Sequence, residues 1–343
     1  MKRAVVRSLA CLTALTVVAA GCESTDSTRD AVSAETTTET TAETTAADTT
    51  PTAETAAVET TPEDITAAET IEAETIATET TAETMSACPL AANTTATTTQ
   101  SAAGCALLER DTSACRATRE AAGLSGSWLQ FSCRVTLTVA TGASGDVVRA
   151  TADGQPDYTS FYFASDHACY APYTDGHRNP NTIVAKAYTF DFPRAPDTTQ
   201  TAMGGGIVGL ALNGVPIFGN FAAPGDDIFA EALTFDRCGA HPQQSGGYHY
   251  HGEPAAISND DARFIGVLRD GYPVYGRRDA DGTMPTLDTL GGHTGTTPDS
   301  ATAVYHYHLS EQVSTAAGTF GEHQWFLTRG TYRGTPAACT GCN

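Results

Sequence analysis

The strongest constraint on this chain is that part of it occurs twice. Gly209-Leu210-Ala211-Leu212-Asn213-Gly214-Val215-Pro216-Ile217-Phe218-Gly219 aligns with Gly266-Val267-Leu268-Arg269-Asp270-Gly271-Tyr272-Pro273-Val274-Tyr275-Gly276. Each is a short apolar run, an Asn-Gly or Asp-Gly step and a second short run, which reads as a β-hairpin. Farther on, Asp236-Arg237-Cys238-Gly239-Ala240-His241 aligns with Asp288-Thr289-Leu290-Gly291-Gly292-His293, and Tyr248-His249-Tyr250-His251 with Tyr305-His306-Tyr307-His308. The three segments recur in one order, at offsets of 57, 52 and 57 residues. A repeated unit too small to bury its own apolar face is expected to pack against its copy. This predicts two related units, about 204–251 and 263–308, around a pseudo-twofold axis.

The surrounding sequence has β texture. Phe131, Cys133, Val135, Leu137 and Val139 alternate with polar residues, the period-two pattern of a half-buried strand. Further strand candidates are Asp146–Ala152, Tyr158–Phe163, Thr182–Phe192, Ile207–Leu212, Val215–Phe218 and Phe264–Leu268, separated by Gly, Pro, Asn and Asp. Only Ala102–Ala122 suggests a helix. The expected class is mainly β: one disulfide-stabilised domain with long loops over residues 127–343, preceded by a Cys-rich segment at 88–126.

The repeated histidines carry the chemistry. Alternate side chains of a strand share a face, so His249 and His251 point one way and Tyr248 and Tyr250 the other; His306 and His308, Tyr305 and Tyr307 repeat the pattern. Two imidazoles at i and i+2 reach one metal ion. If the units meet at a twofold axis, His241, His249, His251, His293, His306 and His308 converge on a common pocket. Neutral imidazole is the commonest metal ligand, and an all-nitrogen set suits zinc, copper(II) or iron. Asp236 and Asp288 sit five residues before His241 and His293, where they could orient the ligands from behind. His323, beside Glu322, is a further candidate. The structural alternative is that Tyr and His alternate in a half-buried strand, with each ring bonded to its own carbonyl.

The pattern Gly-Gly-Gly-x-x-Gly-x-x-x-Asn-Gly-Val from Gly204, then Asp236-x-Cys238-Gly239-x-His241, then Tyr248-His249-Tyr250-His251 resembles the YHYH protein family. Asn179-Pro180-Asn181 and Asp270-Gly271-Tyr272-Pro273 fit it as well, so the likeness runs over roughly Arg134 to Gly330. Ala240 departs from the family's usual second glycine. The resemblance implies an exported protein and bounds the domain; it implies no particular reaction.

The N-terminus agrees with export. Lys2, Arg3 and Arg7 precede an apolar run, Leu9 to Ala20, too short to span a bilayer, which reads as a signal peptide over residues 1–21. Ala19-Ala20-Gly21-Cys22 resembles a lipobox, with Ala19 in place of the usual Leu, so Cys22 is expected to carry a lipid anchor to the cell envelope. Residues 22–87 are Thr, Ala and Glu with no aromatic, too polar to form a core and expected to be a disordered linker. Residues 23–87 hold 16 acids and one Arg, a net charge of −15 of the chain's −21. The remaining acidity argues against a nucleic-acid partner.

Eight cysteines follow the linker: Cys88, Cys105, Cys115, Cys133, Cys169, Cys238, Cys339 and Cys342. In an exported domain they read as disulfides, with 105 possible pairings. Cys238 is replaced by Leu290 in the second unit, so it belongs to a disulfide and not to the shared histidine chemistry. Cys339-x-x-Cys342 is expected to staple the tail to the body. Gly204-x-Gly206-x-x-Gly209 is followed by a strand and Pro216 where a dinucleotide site needs a helix. There is no GxSxG, GxxxxGK[ST] or HExxH motif. The sequence therefore predicts an envelope lipoprotein binding a transition metal through a duplicated histidine site. A metalloenzyme built on that site and a metal-free structural or adhesive module are the alternatives.

Overall fold

The structure is a computed structural model describing residues 88–143, 145–172, 177–223, 226–313 and 323–342. The expected signal peptide, Cys22 and the linker lie outside the described residues. Mainly β architecture is what the alternating sequence predicts, and it is what the chain forms.

Two runs, Ile207–Ala211 (β1) and Phe264–Leu268 (β5), are buried at all five positions. A strand apolar on both faces belongs in the middle of a sheet covered on both sides. They pair antiparallel, Val267 opposite Leu210 and Leu268 opposite Gly209, at the centre of an eight-stranded sheet. Each turns into a short partner strand, Pro216–Phe218 (β2) and Pro273–Tyr275 (β6). The turns close on Ala211 N–H to Val215 O and Leu268 N–H to Tyr272 O, with Gly214 at φ +90° and Gly271 at φ +88°. The glycine is thus the left-handed third residue of a three-residue loop, which is why Asn-Gly and Asp-Gly stand there.

Outside each hairpin lies a Tyr-His strand: Tyr248–Tyr250 (β4) beside β2, and Ser300–His308 (β8) beside β6, both parallel. Ala240–Pro242 (β3) and Gly292–Thr297 (β7) close the two edges antiparallel. The order is β7-β8-β6-β5-β1-β2-β4-β3. Read outward from the central pair, both halves follow one sequence: hairpin, Tyr-His strand, edge strand.

A four-stranded antiparallel sheet (Thr136–Gly142, Gly145–Ala152, Tyr188–Pro193 and Cys339–Thr340) contributes to the same core. Tyr188, Phe190 and Phe192 point inward from one strand, and burying each stabilises the fold by about 1.5–3 kcal/mol. The 88–126 segment also packs into this core, through Cys88, Cys105, Leu108 and Leu124.

Several local expectations are corrected. Ala102–Ala122 is not one helix: Ala106–Arg110 is a strand paired with Thr94–Gln100, burying adjacent Leu107 and Leu108, and the helix spans Ser113–Ala121. Tyr158–Phe163 forms only a bridge, Ser160 to Tyr170, and in Thr182–Phe192 the strand begins at Tyr188. The disulfides are Cys88–Cys169, Cys105–Cys238, Cys115–Cys133 and Cys339–Cys342. The last is local, so the tail is held not by its cysteines but by strand pairing of Cys339 and Thr340 with Phe190 and Thr189.

Candidate metal centre

The six repeated histidines form two groups, one in each half, and not one common pocket. His241, His249 and His251 make the first; His293, His306, His308 and Asp279 make the second, each with ligand atoms within 4.8 Å of one another. The register explains both. His249 and His251 share a face of the chain through β4, and His241 on β3 lies directly opposite His249. His306 and His308 share a face of β8, and His293 on β7 lies opposite His306. An i, i+2 pair plus a cross-strand partner gives three imidazoles on one patch of sheet. Because the Tyr-His strands flank the central hairpins on opposite sides, the groups fall in opposite halves of the sheet.

Hydrogen bonds set the ring orientations. His249 Nδ1 donates to Gly247 O (3.0 Å) and His251 Nδ1 to Gly219 O (2.7 Å). His306 Nδ1 donates to Val304 O (3.0 Å) and His308 Nδ1 to Gly276 O (2.7 Å), each 57 residues on. A carbonyl only accepts, so these rings carry their proton on Nδ1 and present a bare Nε2. His241 Nδ1 lies 2.6 Å from Thr234 Oγ1, whose own proton goes to Glu231 O at 2.8 Å, so this imidazole also donates from Nδ1.

The Nε2 atoms then face one another. His249 Nε2 is 3.1 Å from His241 Nε2 and 3.0 Å from His251 Nε2. His293 Nε2 is 3.1 Å from His306 Nε2 and 3.2 Å from His308 Nε2. Two lone pairs at that distance repel, and no proton is left to bridge the first group. Ligand nitrogens about 2.0–2.1 Å from a tetrahedral metal stand about 3.3 Å apart, and about 2.9 Å apart in an octahedral set. These two contacts in each group fall between those values, and all ligand atoms of a group lie within 4.8 Å of one another, so either group could hold a metal ion.

Burial disfavours the charged form of five of these rings. Burial lowers the pKa of His241 to about 3, with the neighbouring His251 adding to it, and lowers His251 to about 4. Burial, then the other two rings, sets His249 well below its ordinary value, and burial lowers His306 and brings His308 to about 4. Phe218 stacks on His249 at 3.7 Å, and Phe235 lies 5.0 Å from His241 and 5.8 Å from His251.

The two groups differ in access and charge. His241, His249 and His251 are each 2% exposed. In the second group the His293 and Asp279 side chains are both 21% exposed. Asp279 Oδ1 lies 2.9 Å from His293 Nε2, 3.4 Å from His308 Nε2 and 3.7 Å from His306 Nε2.

Asp236 and Asp288 do not orient the histidines; they bond the tyrosines on the opposite face. Asp236 Oδ2 accepts from Tyr248 and Ser160 (2.5 Å each), and Asp288 Oδ2 accepts from Tyr305 (3.0 Å). Each also caps its own turn, Asp236 through Cys238 N–H and Asp288 through Leu290 N–H, both 2.9 Å. Tyr250 and Tyr307 are held by the hairpin turns, Asn213 Nδ2 to Tyr250 Oη at 3.1 Å and Tyr307 Oη to Asp270 Oδ2 at 2.7 Å. Strand alternation makes this unavoidable: a group that meets Tyr248 cannot meet His249. The tyrosines fix the strands from behind, and burial raises the pKa of all four phenols.

The sequence reading missed Asp279, Thr234 and Glu231, which have no counterpart in the aligned segments. It also missed Gly219 and Gly276, whose shared place at the hairpin ends was a usable signal. His167 lies elsewhere, stacked on Phe163, and Glu322 and the His323 side chain lie outside the described residues.

Neither a curated protein nor a solved structure matches the chain. Residues 189–286 match the family described as YHYH protein, a span that takes in the first histidine group and Asp279 but ends before the second Tyr-His strand. That is shorter than the Arg134–Gly330 stretch suggested by the motifs alone. Residues 189–286 of the chain thus form a YHYH domain, similar to the YHYH protein family.

Proposed function

We propose that this chain is an exported, lipid-anchored envelope protein that binds a transition-metal ion at each of its two histidine groups. One observation carries the metal reading: in each group two imidazoles donate from Nδ1 to backbone carbonyls, so their lone-pair nitrogens are turned into that group. Three imidazoles, joined by a carboxylate in the second group, suit zinc, copper(II) or iron. The cationic start, short apolar run and Cys22 support export and anchoring, and four disulfides suit an oxidising compartment.

Elemental analysis of protein secreted into an oxidising compartment tests the reading. Two equivalents of metal are expected, falling to one in His249→Ala/His251→Ala and to one in His306→Ala/His308→Ala. Metal content near zero in the folded parent would leave the metal-free structural or adhesive module as the reading.

A second reading, a metalloenzyme, rests on the partial exposure of His293 and Asp279. A catalytic metal needs a coordination position that solvent or substrate can reach, and only the second group offers one. Hydrolytic or oxidative turnover lost in His306→Ala/His308→Ala but kept in His249→Ala/His251→Ala would favour it.

A further inference from the structure

The first histidine group has a charge problem that the second does not. A divalent ion held by three neutral imidazoles in a buried pocket keeps its full charge, and an uncompensated buried charge is costly. In the second group Asp279 supplies the compensating anion. Glu231 is a carboxylate on the His241 side of the first group, in contact with that ring alone of the three. Its Oε1 is 3.4 Å from His241 Nε2, the nitrogen turned toward the other two rings. The side chain is 25% exposed, but its Oε2 is buried and has no hydrogen-bond partner among the described residues. A sealed carboxylate oxygen without a donor is unusual in a folded protein, because it forfeits hydration with nothing in return.

The local chain holds this residue against the site. Glu231 ends the short helix Ile228–Glu231, whose first turn is capped by Asp227 accepting from Phe229 N–H at 2.9 Å. The Glu231 carbonyl accepts from Thr234 Oγ1, and Thr234 Oγ1 accepts from His241 Nδ1. One turn of chain therefore sets the ring of His241 and brings the carboxylate beside its far nitrogen.

We propose that Glu231 is the fourth protein ligand of the first site, so that both halves build a three-histidine, one-carboxylate centre from carboxylates that do not align in sequence. The proposal rests on the metal reading above and is separable from it. The first site is isolated in the full-length His306→Ala/His308→Ala protein, and zinc affinity is measured by competition with a chromophoric chelator. Glu231→Gln is then added to that background.

The expected result is an affinity about 10–100-fold weaker, at least the loss typical of removing a group that supports a metal ligand, with Glu231→Asp in between. The cobalt(II)-loaded form should change its visible ligand-field bands in Glu231→Gln. The metal-free Glu231→Gln protein should melt no lower than its parent, since the substitution removes a partly buried carboxylate whose Oε2 has no partner among the described residues; a purely structural role for Glu231 would lower it. Zinc affinity within twofold of the parent, with unchanged cobalt bands, overturns the ligand assignment and leaves the metal reading intact. A parent that binds no metal overturns both.

Discussion

Stripping the metal and lowering the pH is the perturbation for which the structure supplies numbers. His241 and His251 are buried, and burial holds them near pKa 3 and 4 against an ordinary value of about 6.5. The folded pKa lies below the unfolded one, so between these values the unfolded chain binds more protons. Stability is then full above about pH 6.5 and falls as the pH drops toward 4 and 3. At pH 4.5 each ring withholds a proton that the unfolded chain takes up, about two pH units below 6.5, worth about 2.5 kcal/mol apiece and about 5 kcal/mol for the pair. That is a large part of the 5–15 kcal/mol that holds a typical domain together.

Buried carboxyls raised by desolvation, among them Asp236 and Asp270, act with the opposite sign. The comparison that isolates the histidines is therefore between chelated parent and chelated His241→Gln/His251→Gln. Urea unfolding followed by circular dichroism at pH 7.5, 6.0 and 4.5 provides it. The parent should lose about 5 kcal/mol more than the variant between the first and last pH. Equal losses in the two proteins would refute the claim that these rings are held neutral by burial, and with it the aimed lone pairs.

Access predicts an order of release: a chelator should take one equivalent quickly and the second slowly, and His306→Ala/His308→Ala should abolish the fast phase seen by stopped-flow absorbance. Tyr307→Phe removes a donor from buried Asp270 and should cost about 1–3 kcal/mol in thermal unfolding while metal content stays at two, because the phenol lies on the face away from the imidazoles. Breaking Cys105–Cys238, which spans 133 residues, should cost about 2–5 kcal/mol, whereas breaking Cys339–Cys342, which spans three, should cost about 1–2 kcal/mol; calorimetry of Cys→Ser pairs decides.

The amino-acid order alone determined what is local and periodic: hairpins at Asn213-Gly214 and Asp270-Gly271, Tyr and His on opposite faces of their strands, and Cys238 as a disulfide partner. These follow from short-range rules, the left-handed preference of glycine and the two-residue period of a strand. The tertiary structure decided what depends on strand order and register. Placing the central hairpins between the two Tyr-His strands divided six histidines into two groups, which no count of residues reveals. Asp236 and Asp288 went to the tyrosines because alternation puts them on that face. Asp279 came to the imidazoles from a loop and Glu231 from the end of a short helix, with no shared spacing. Proximity across a sheet is set by which strands pair and where, and single-sequence periodicity carries no record of that.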